Sequence, residues 1–264
     1  MEYLQYVLIG LFAGFFAGLL GIGGGAIIVP LTILVFMRHG VAPEHMLHVA
    51  LGTCMATIVF TAASSLRAHH RHGAVLWPVV RTMTPGLVAG GFFGTWLARY
   101  IPTLPLAILF GCFVTYAATQ MLVSWKPRPS AGLPGRLGLT ITGFLLCTFC
   151  ALVAVGGAAL VIPFLVFCAV PFHTAIGTAA AIGFPIALAS TAGYIFNGWA
   201  VDGLPSPHLG YIYLPALVCI SAASMLIAPL GAAVAHRVPA KTLKKVFAFL
   251  MYGLIAKMVW DLAR

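Results

Sequence analysis

The stretch Gly21-Ile22-Gly23-Gly24-Gly25-Ala26-Ile27-Ile28-Val29-Pro30 interrupts an apolar run over residues 3–37 that contains no charged side chain. As one straight helix this run would be about 52 Å long, whereas the hydrocarbon core of a bilayer is roughly 30 Å thick. Glycine and proline both disfavour the interior of a helix. The sequence therefore predicts a long segment that is broken near its centre into two shorter helices.

The composition of the whole chain predicts an all-α polytopic membrane protein. Hydrophobic residues make up 62% of the chain and charged residues 7%, whereas about a quarter of an average globular chain is charged. No Asp, Glu, Lys or Arg lies between Arg136 and Asp202. The short alternating segments of a membrane β-barrel are not seen. We expect a multi-pass protein of a bacterial inner membrane, with the lipid bilayer as its partner.

The net charge of +10 is typical of the Lys and Arg that accumulate in cytoplasmic loops. Because no basic block with interleaved aromatic residues is present, we expect no nucleic-acid partner.

A weaker copy of the first break occurs in the second half of the chain, as Ala154-Val155-Gly156-Gly157-Ala158-Ala159-Leu160-Val161-Ile162-Pro163. Aligning Pro30 with Pro163 matches the two glycine pairs, and residues 50–53 (Ala-Leu-Gly-Thr) match residues 175–178 (Ala-Ile-Gly-Thr). The repeat predicts two membrane units, 1–125 and 137–264, joined by a cytoplasmic linker at 126–136. In each unit a broken hairpin precedes three spanning helices, predicted at 46–66, 76–98, 104–125, 174–196, 211–235 and 246–262.

The distribution of basic residues distinguishes two topologies. If every segment crosses once, the fourteen Lys and Arg divide into six and eight; if each broken segment returns on its own side, they divide into ten and four. The second arrangement follows the positive-inside rule. Each half then crosses three times, so the halves form inverted repeats with both termini in the periplasm. Eight simple crossings remain the alternative.

The glycine-rich breaks predict a binding site for an anion. A helix that begins within the membrane presents unpaired N–H groups and the positive end of its dipole, and glycine lets a ligand approach them. Gly23, Gly24, Gly25, Gly156 and Gly157 are the candidates. The alternative is close helix packing through small residues.

Three polar side chains complete the candidate substrate site. Thr53 and Thr178 occupy matching positions and offer hydroxyl donors. Arg81 is the strong cation that lies inside a predicted span, where it binds an oxyanion or instead extends to the interface. Thr57 and Thr61 share a helix face with Thr53; they line an anion path or bond back to their own helix.

Two other clusters suggest alternative functions. His69, His70 and His72 are close enough in sequence for a metal-handling site, although a basic cytoplasmic anchor explains them as well. Cys147 and Cys150 suggest a sulfur-carrier subunit, or small buried side chains. The four acids, Glu2, Glu44, Asp202 and Asp261, lie at termini or span edges. No nucleotide-binding motif is present, and we expect a transporter rather than an enzyme, with no cofactor and no metal.

The residues above resemble the TauE/SafE family of sulfite exporter-like permeases. The matching elements are residues 18–30, Ala50-Leu51-Gly52-Thr53, the loop at 71–77, and the second glycine pair with Pro163 followed by Gly177-Thr178. The resemblance implies transport of small sulfur-containing anions such as sulfite, sulfoacetate or related organosulfonates. A homodimer is a possible assembly.

Overall fold

A computed structural model describes residues 2–20, 24–39, 41–123, 132–235 and 240–262. Ten α-helices and one two-stranded antiparallel hairpin account for most of these residues. In chain order they are α1 (Glu2–Leu20), α2 (Gly25–Arg38), α3 (Pro43–Arg71), α4 (Trp77–Tyr100), α5 (Thr103–Val123), α6 (Arg136–Val153), α7 (Ala158–Phe167), α8 (Phe172–Gly198), β1 (His208–Leu209), β2 (Ile212–Tyr213), α9 (Leu214–Ala235) and α10 (Ala240–Leu262).

The centre of the molecule is the pair α3 and α8, which pack against each other. Every residue of α3 from Met46 to Ile58 is buried, so this helix is covered on all sides over more than three turns. The other extensive pairs are α1 with α9, α4 with α6, α4 with α8, and α5 with α10. Exchanging the five helices of one half for those of the other converts α1–α9 into α6–α4 and leaves α3–α8 and α5–α10 unchanged. The counterpart of α4–α8, which is α3–α9, is a smaller contact.

Small residues bring the outer helix pairs into backbone contact. A Cβ added to Gly90 or Gly86 of α4 would overlap the carbonyl oxygen of Phe144 or Thr140 of α6. The Thr148 hydroxyl donates to the Gly90 carbonyl at 3.2 Å. In the matching pair, a Cβ on Gly10 of α1 would lie 2.7 Å from the Ile220 carbonyl oxygen of α9. Close helix packing of this kind is characteristic of proteins in lipid.

The outer surface is apolar, as a bilayer requires. Leu137, Phe196 and Leu226 are each at least 75% exposed, and soluble proteins rarely expose large contiguous apolar surfaces. Within the described residues, four helices are long and apolar enough to cross a membrane: Pro43–Arg71, Thr103–Gln120, Arg136–Val153 and Phe172–Gly198. Shorter apolar helices lie at Glu2–Ala17, Gly25–Arg38, Ala158–Phe167 and Leu214–Leu230.

The predicted all-α membrane fold is confirmed, while the inverted orientation of its halves stays a prediction. In each half one helix precedes the break and one follows it, and three more helices come after these. The predicted division at 126–136 falls largely outside the described residues, because 124–131 are not among them. The sequence did not predict the short hairpin at 208–213, which precedes α9.

Candidate functional site

The first break is a left-handed turn that starts a new helix. Gly24 has φ +32° and forms the N-cap of α2, a conformation that glycine adopts at little cost. Its carbonyl accepts the N–H groups of Ile27 and Ile28 at 3.0 and 2.9 Å. The first N–H groups of the helix, beginning at Gly25, have no partner within the helix. Gly23, which is also a predicted site residue of this break, lies outside the described residues.

The second break has the same design. Gly157 has φ +80° and forms the N-cap of α7, and its carbonyl accepts the N–H groups of Leu160 and Val161 at 3.0 and 2.8 Å. α6 ends in another left-handed residue, Ala154, with φ 43°. Pro30 and Pro163 each occupy the sixth position of the helix that follows the break. The sequence alignment of the two breaks thus corresponds to equivalent backbone positions.

The two breaks contact each other in the interior. Gly25, the first residue of α2, abuts the carbonyl group of Ala154 so closely that an added Cβ would overlap the oxygen. The Cys54 thiol of α3 donates to the same carbonyl at 3.7 Å. Gly25, Cys54 and Ala154 are all buried. The structure therefore brings the start of α2 against the end of α6, at the second break, beside the central helix α3.

The second break also contacts α8. A Cβ on Gly183 would lie 2.8 Å from the Gly156 carbonyl oxygen, and a Cβ on Gly156 would lie 3.3 Å from the side chain of Ile58. Gly156 is partly exposed, as are Ala158 and Ala159 at the start of α7. The turn is thus packed between the two central helices on one side and open on another.

Thr53 and Thr178 each accept a hydrogen bond from the backbone of the opposite half of the chain. Thr53 Oγ1 accepts the backbone N–H of Tyr213, one residue before α9, at 3.0 Å. Thr178 Oγ1 accepts the N–H of Leu76, one residue before α4, also at 3.0 Å. We call these two contacts, with the glycine that precedes each threonine, the Gly-Thr clasps.

The glycines of the clasps allow the backbones to meet. A Cβ on Gly52 would lie 2.5 Å from the Tyr211 carbonyl oxygen, and one on Gly177 would overlap the Ala74 carbonyl. Each clasp joins a central helix to the segment that leads into the fourth helix of the other half. The sequence predicted the pairing of the two Gly-Thr motifs, but not that both hydroxyls accept a backbone N–H.

The other predicted polar residues lie elsewhere. Thr57 donates to the Thr53 carbonyl at 2.9 Å and Thr61 to the Ile58 carbonyl at 3.1 Å, so these two hydroxyls bond back to their own helix. Arg81 is exposed in the second turn of α4. None of the contacts described for the breaks involves its guanidinium group.

The residues of the alternative functions do not form a metal centre. Across the described residues, which include His69, His70 and His72, no three His, Cys, Asp or Glu side chains are grouped to hold a metal ion. His70 Nδ1 instead accepts the Trp77 indole N–H at 3.3 Å. Cys147 and Cys150 are free thiols, and both are buried.

Sequence reasoning missed the residues around the 208–213 hairpin. Tyr211 donates its backbone N–H to the Tyr194 carbonyl at 3.2 Å, and its ring lies 5.4 Å from that of buried His48. The hydroxyl of Tyr213 donates to Glu2 at 3.1 Å. Burial and this hydrogen bond raise the pKa of Tyr213 to about 12. The one available signal was that His48 and His173 each precede a Gly-Thr motif by the same interval.

These observations define a multi-pass α-helical membrane protein in which two interrupted segments meet beside the central helices. The chain belongs to the sulfite exporter TauE/SafE family, whose match covers residues 6–258, and the predicted resemblance is confirmed. It is 35% identical to a probable membrane transporter protein of Haemophilus influenzae over 93% of each chain. It is 23% identical to the probable membrane transporter protein YunE of Bacillus subtilis, over 99% of this chain and 98% of that one. No solved structure matches the chain.

Proposed function

We propose that this protein transports small sulfur-containing anions, such as sulfite, sulfoacetate or related organosulfonates, by alternating access. In this proposal the anion binds where the two glycine-rich breaks meet and accepts hydrogen bonds from the first N–H groups of α2 and α7. The family relationship supports the substrate class. The Gly25–Ala154 contact supports the location, because it brings the start of α2 against the second break inside the protein.

Backbone N–H groups suit this task in a bilayer. A buried ionised side chain requires compensation for lost hydration, whereas helix N-termini attract an anion without carrying a full charge. The four acids of the chain are all described, and none lies in the interior: Glu44 and Asp202 are exposed, and Glu2 and Asp261 are partly exposed. No carboxylate therefore repels an anion at the breaks.

In this proposal the threonine hydroxyls of the clasps also contribute to anion binding, after the backbone N–H groups. A threonine hydroxyl that accepts an N–H still has its own hydrogen to donate, and Thr53 adjoins Cys54, which contacts the break. Arg81 is exposed, so we assign it the role of attracting the anion at the cytoplasmic entrance rather than that of lining the buried site.

The matching contacts of the two halves support alternating access. Both clasps, both N-capping glycines and the helix pairs α1–α9 and α6–α4 are equivalent when the halves are exchanged. Two repeats of one design can adopt two conformations by exchanging roles. In our proposal the halves are inverted in the bacterial inner membrane, with both termini in the periplasm.

Thermal stability in detergent tests the proposal. A ligand that binds only the folded state raises the melting temperature with its concentration. We expect sulfite, sulfoacetate or thiosulfate to stabilise the purified protein at concentrations where chloride does not, with sulfate and taurine as further members of the panel. A Gly157→Ala variant places a Cβ 2.6 Å from Ile186 at a left-handed position, and it should lose this stabilisation.

The exposed Gly253, beside which a Cβ meets nothing within 4 Å, provides the matched control. Gly253→Ala should keep the full response to the anion. If no sulfur anion of the panel stabilises the wild type, the proposed substrate class is wrong. If Gly157→Ala responds as strongly as Gly253→Ala, the site lies away from the breaks.

A further inference from the structure

We propose that His48 is the proton-binding site of this transporter, and that proton uptake there is coupled to movement of the anion. The inference rests on the proposed function and assigns its coupling ion. It comes from a buried side chain that neither the breaks nor the clasps use.

His48 occupies an unusual position for an imidazole. It lies in the second turn of α3, is 4% exposed, and its Nε2 is 2.9 Å from the Ala98 carbonyl oxygen in the last turn of α4. Its Nδ1 is buried and has no hydrogen-bond partner. Since Nε2 faces an acceptor, it bears the hydrogen in the neutral ring, and Nδ1 holds the lone pair. The unpartnered nitrogen is therefore the atom that takes up a proton.

Within the part of the chain that the structure describes, no other buried group is as well suited to bind a proton near neutral pH. Carboxylates are exposed or partly exposed, and thiols and phenols ordinarily titrate well above neutrality. Imidazole ordinarily titrates near pH 6.5. His48 is the one histidine among the described residues that is buried.

The charged and titratable groups around His48 act on a bound proton in opposite senses. On α3, the exposed Glu44 lies four residues earlier and thus on the same helix face. From α4, the carbonyls of the last turn carry partial negative charge, and from the hairpin the Tyr211 ring lies 5.4 Å away at an angle of 32°. His45, on the same helix, opposes a positive charge on His48, and the exposed Arg99 lies in the last turn of α4. His208, on the same hairpin, is hydrogen-bonded through its Nδ1 to the Gly210 carbonyl oxygen at 3.2 Å.

The position of His48 links proton binding to the anion site. Along α3 it precedes Cys54, which contacts the break, by about 9 Å. Tyr211, which packs on His48, also contacts Gly52 of the first clasp. A proton on Nδ1 places a positive charge on a ring that is 4% exposed, and a buried charge requires new compensating contacts, so the ring or its neighbours must rearrange. That rearrangement acts directly on the clasp and, through α3, on the break.

The second repeat provides a matched control. His173 precedes Thr178 by the same interval as His48 precedes Thr53, but it is exposed. Only His48 is enclosed by a helix end and the 208–213 hairpin. The two histidines therefore share a sequence context and differ in burial, which is the property that the inference uses.

The test is proton movement in liposomes that contain the full-length protein. A pH-sensitive dye is trapped inside, the membrane potential is clamped, and a gradient of sulfoacetate or thiosulfate is applied; neither anion carries a proton of its own near neutral pH. In the wild type we expect proton flux that follows the anion. His48→Gln keeps an amide donor for Ala98 and should reduce the protons moved per anion at least tenfold. His173→Gln and His45→Gln should retain the wild-type ratio.

The outcomes separate the two proposals. If the wild type moves neither anion nor the other members of the panel, the transport function itself fails, and the coupling role fails with it. If the wild type moves the anion without protons, only the role of His48 is overturned, whatever the variants do. Proton coupling that persists in folded His48→Gln, or in His48→Asn if the first variant does not fold, also overturns it.

Discussion

Gly25→Ala is the substitution that most directly tests whether the two breaks must meet. Gly25 is the first residue of α2, and a Cβ at this position would overlap the Ala154 carbonyl oxygen and lie 3.3 Å from the Cys54 sulfur. Because the nearest atom belongs to the backbone, no rotamer change relieves the overlap. The start of α2 must move away from the second break, or the break itself must shift.

Two opposing effects set the size of the change. Extra methyl groups in a packed interior usually destabilise by about 1–3 kcal/mol, whereas alanine in place of glycine within a helix gains up to about 1 kcal/mol. For a chain of this size, 1 kcal/mol corresponds to roughly 2–4 °C in melting temperature on the scale of soluble proteins. Because the control Gly253→Ala gains the helix contribution without the overlap, we expect Gly25→Ala to melt about 2–12 °C below it.

The assay is thermal unfolding of both purified variants, with and without the anion that stabilises the wild type most. The second half shows that alanine is acceptable at the start of such a helix, because α7 begins with Ala158. The expected defect thus arises from the contact with Ala154 rather than from helix formation. We expect Gly25→Ala to lose most of the stabilisation by the anion as well.

A Gly25→Ala protein that melts with Gly253→Ala and keeps the full anion response would refute this reasoning. The breaks would then be separable without consequence, and the contact between them would be only packing.

The clasps and Arg81 give two further predictions. Thr53→Val and Thr178→Val each leave a backbone N–H without its acceptor, and such a loss costs about 1–3 kcal/mol. Both variants should therefore be less stable than the wild type in urea or thermal unfolding. Serine at the same positions keeps the hydroxyl and should restore most of the lost stability. Equal stability of the Val and Ser variants would contradict the structural role of the hydroxyls. Arg81→Gln should raise the anion concentration needed for half-maximal transport at low salt, and this difference should shrink as salt is added because exposed charges are screened. An effect that is independent of salt would instead indicate direct contact in a site shielded from solvent.

Much of the fold was predictable because membrane helices are long and the breaks are rich in glycine. The predicted spans 104–125 and 211–235 correspond to Thr103–Val123 and Leu214–Ala235. Aligning Pro30 with Pro163 paired Gly24 with Gly157, and these two glycines form the N-caps of the helices that follow the breaks. Each of these predictions used local chemistry, namely apolar length and the conformational freedom of glycine.

Contacts between the halves were beyond local reasoning. Thr53 accepts the N–H of Tyr213, which lies far along the chain, and nothing in the Gly-Thr motif identifies that partner. The burial of His48 depends in the same way on the end of α4 and on the 208–213 hairpin. That hairpin has strands of two residues each, too short to leave an alternating pattern in the sequence.

In the proposed mechanism, the clasps let two separate breaks work as one site. Each central helix holds the segment that begins the fourth helix of the opposite half. Movement of α3 relative to α9, or of α8 relative to α4, therefore strains one of the two clasp hydrogen bonds. α3 also contacts both breaks, through Cys54 at Gly25 and Ala154 and through Ile58 at Gly156. A displacement of α3 would therefore change the contact between the breaks and the position of α9 together. In the proposed mechanism, reciprocal attachment of this kind makes the two halves move as partners, as alternating access between repeats requires.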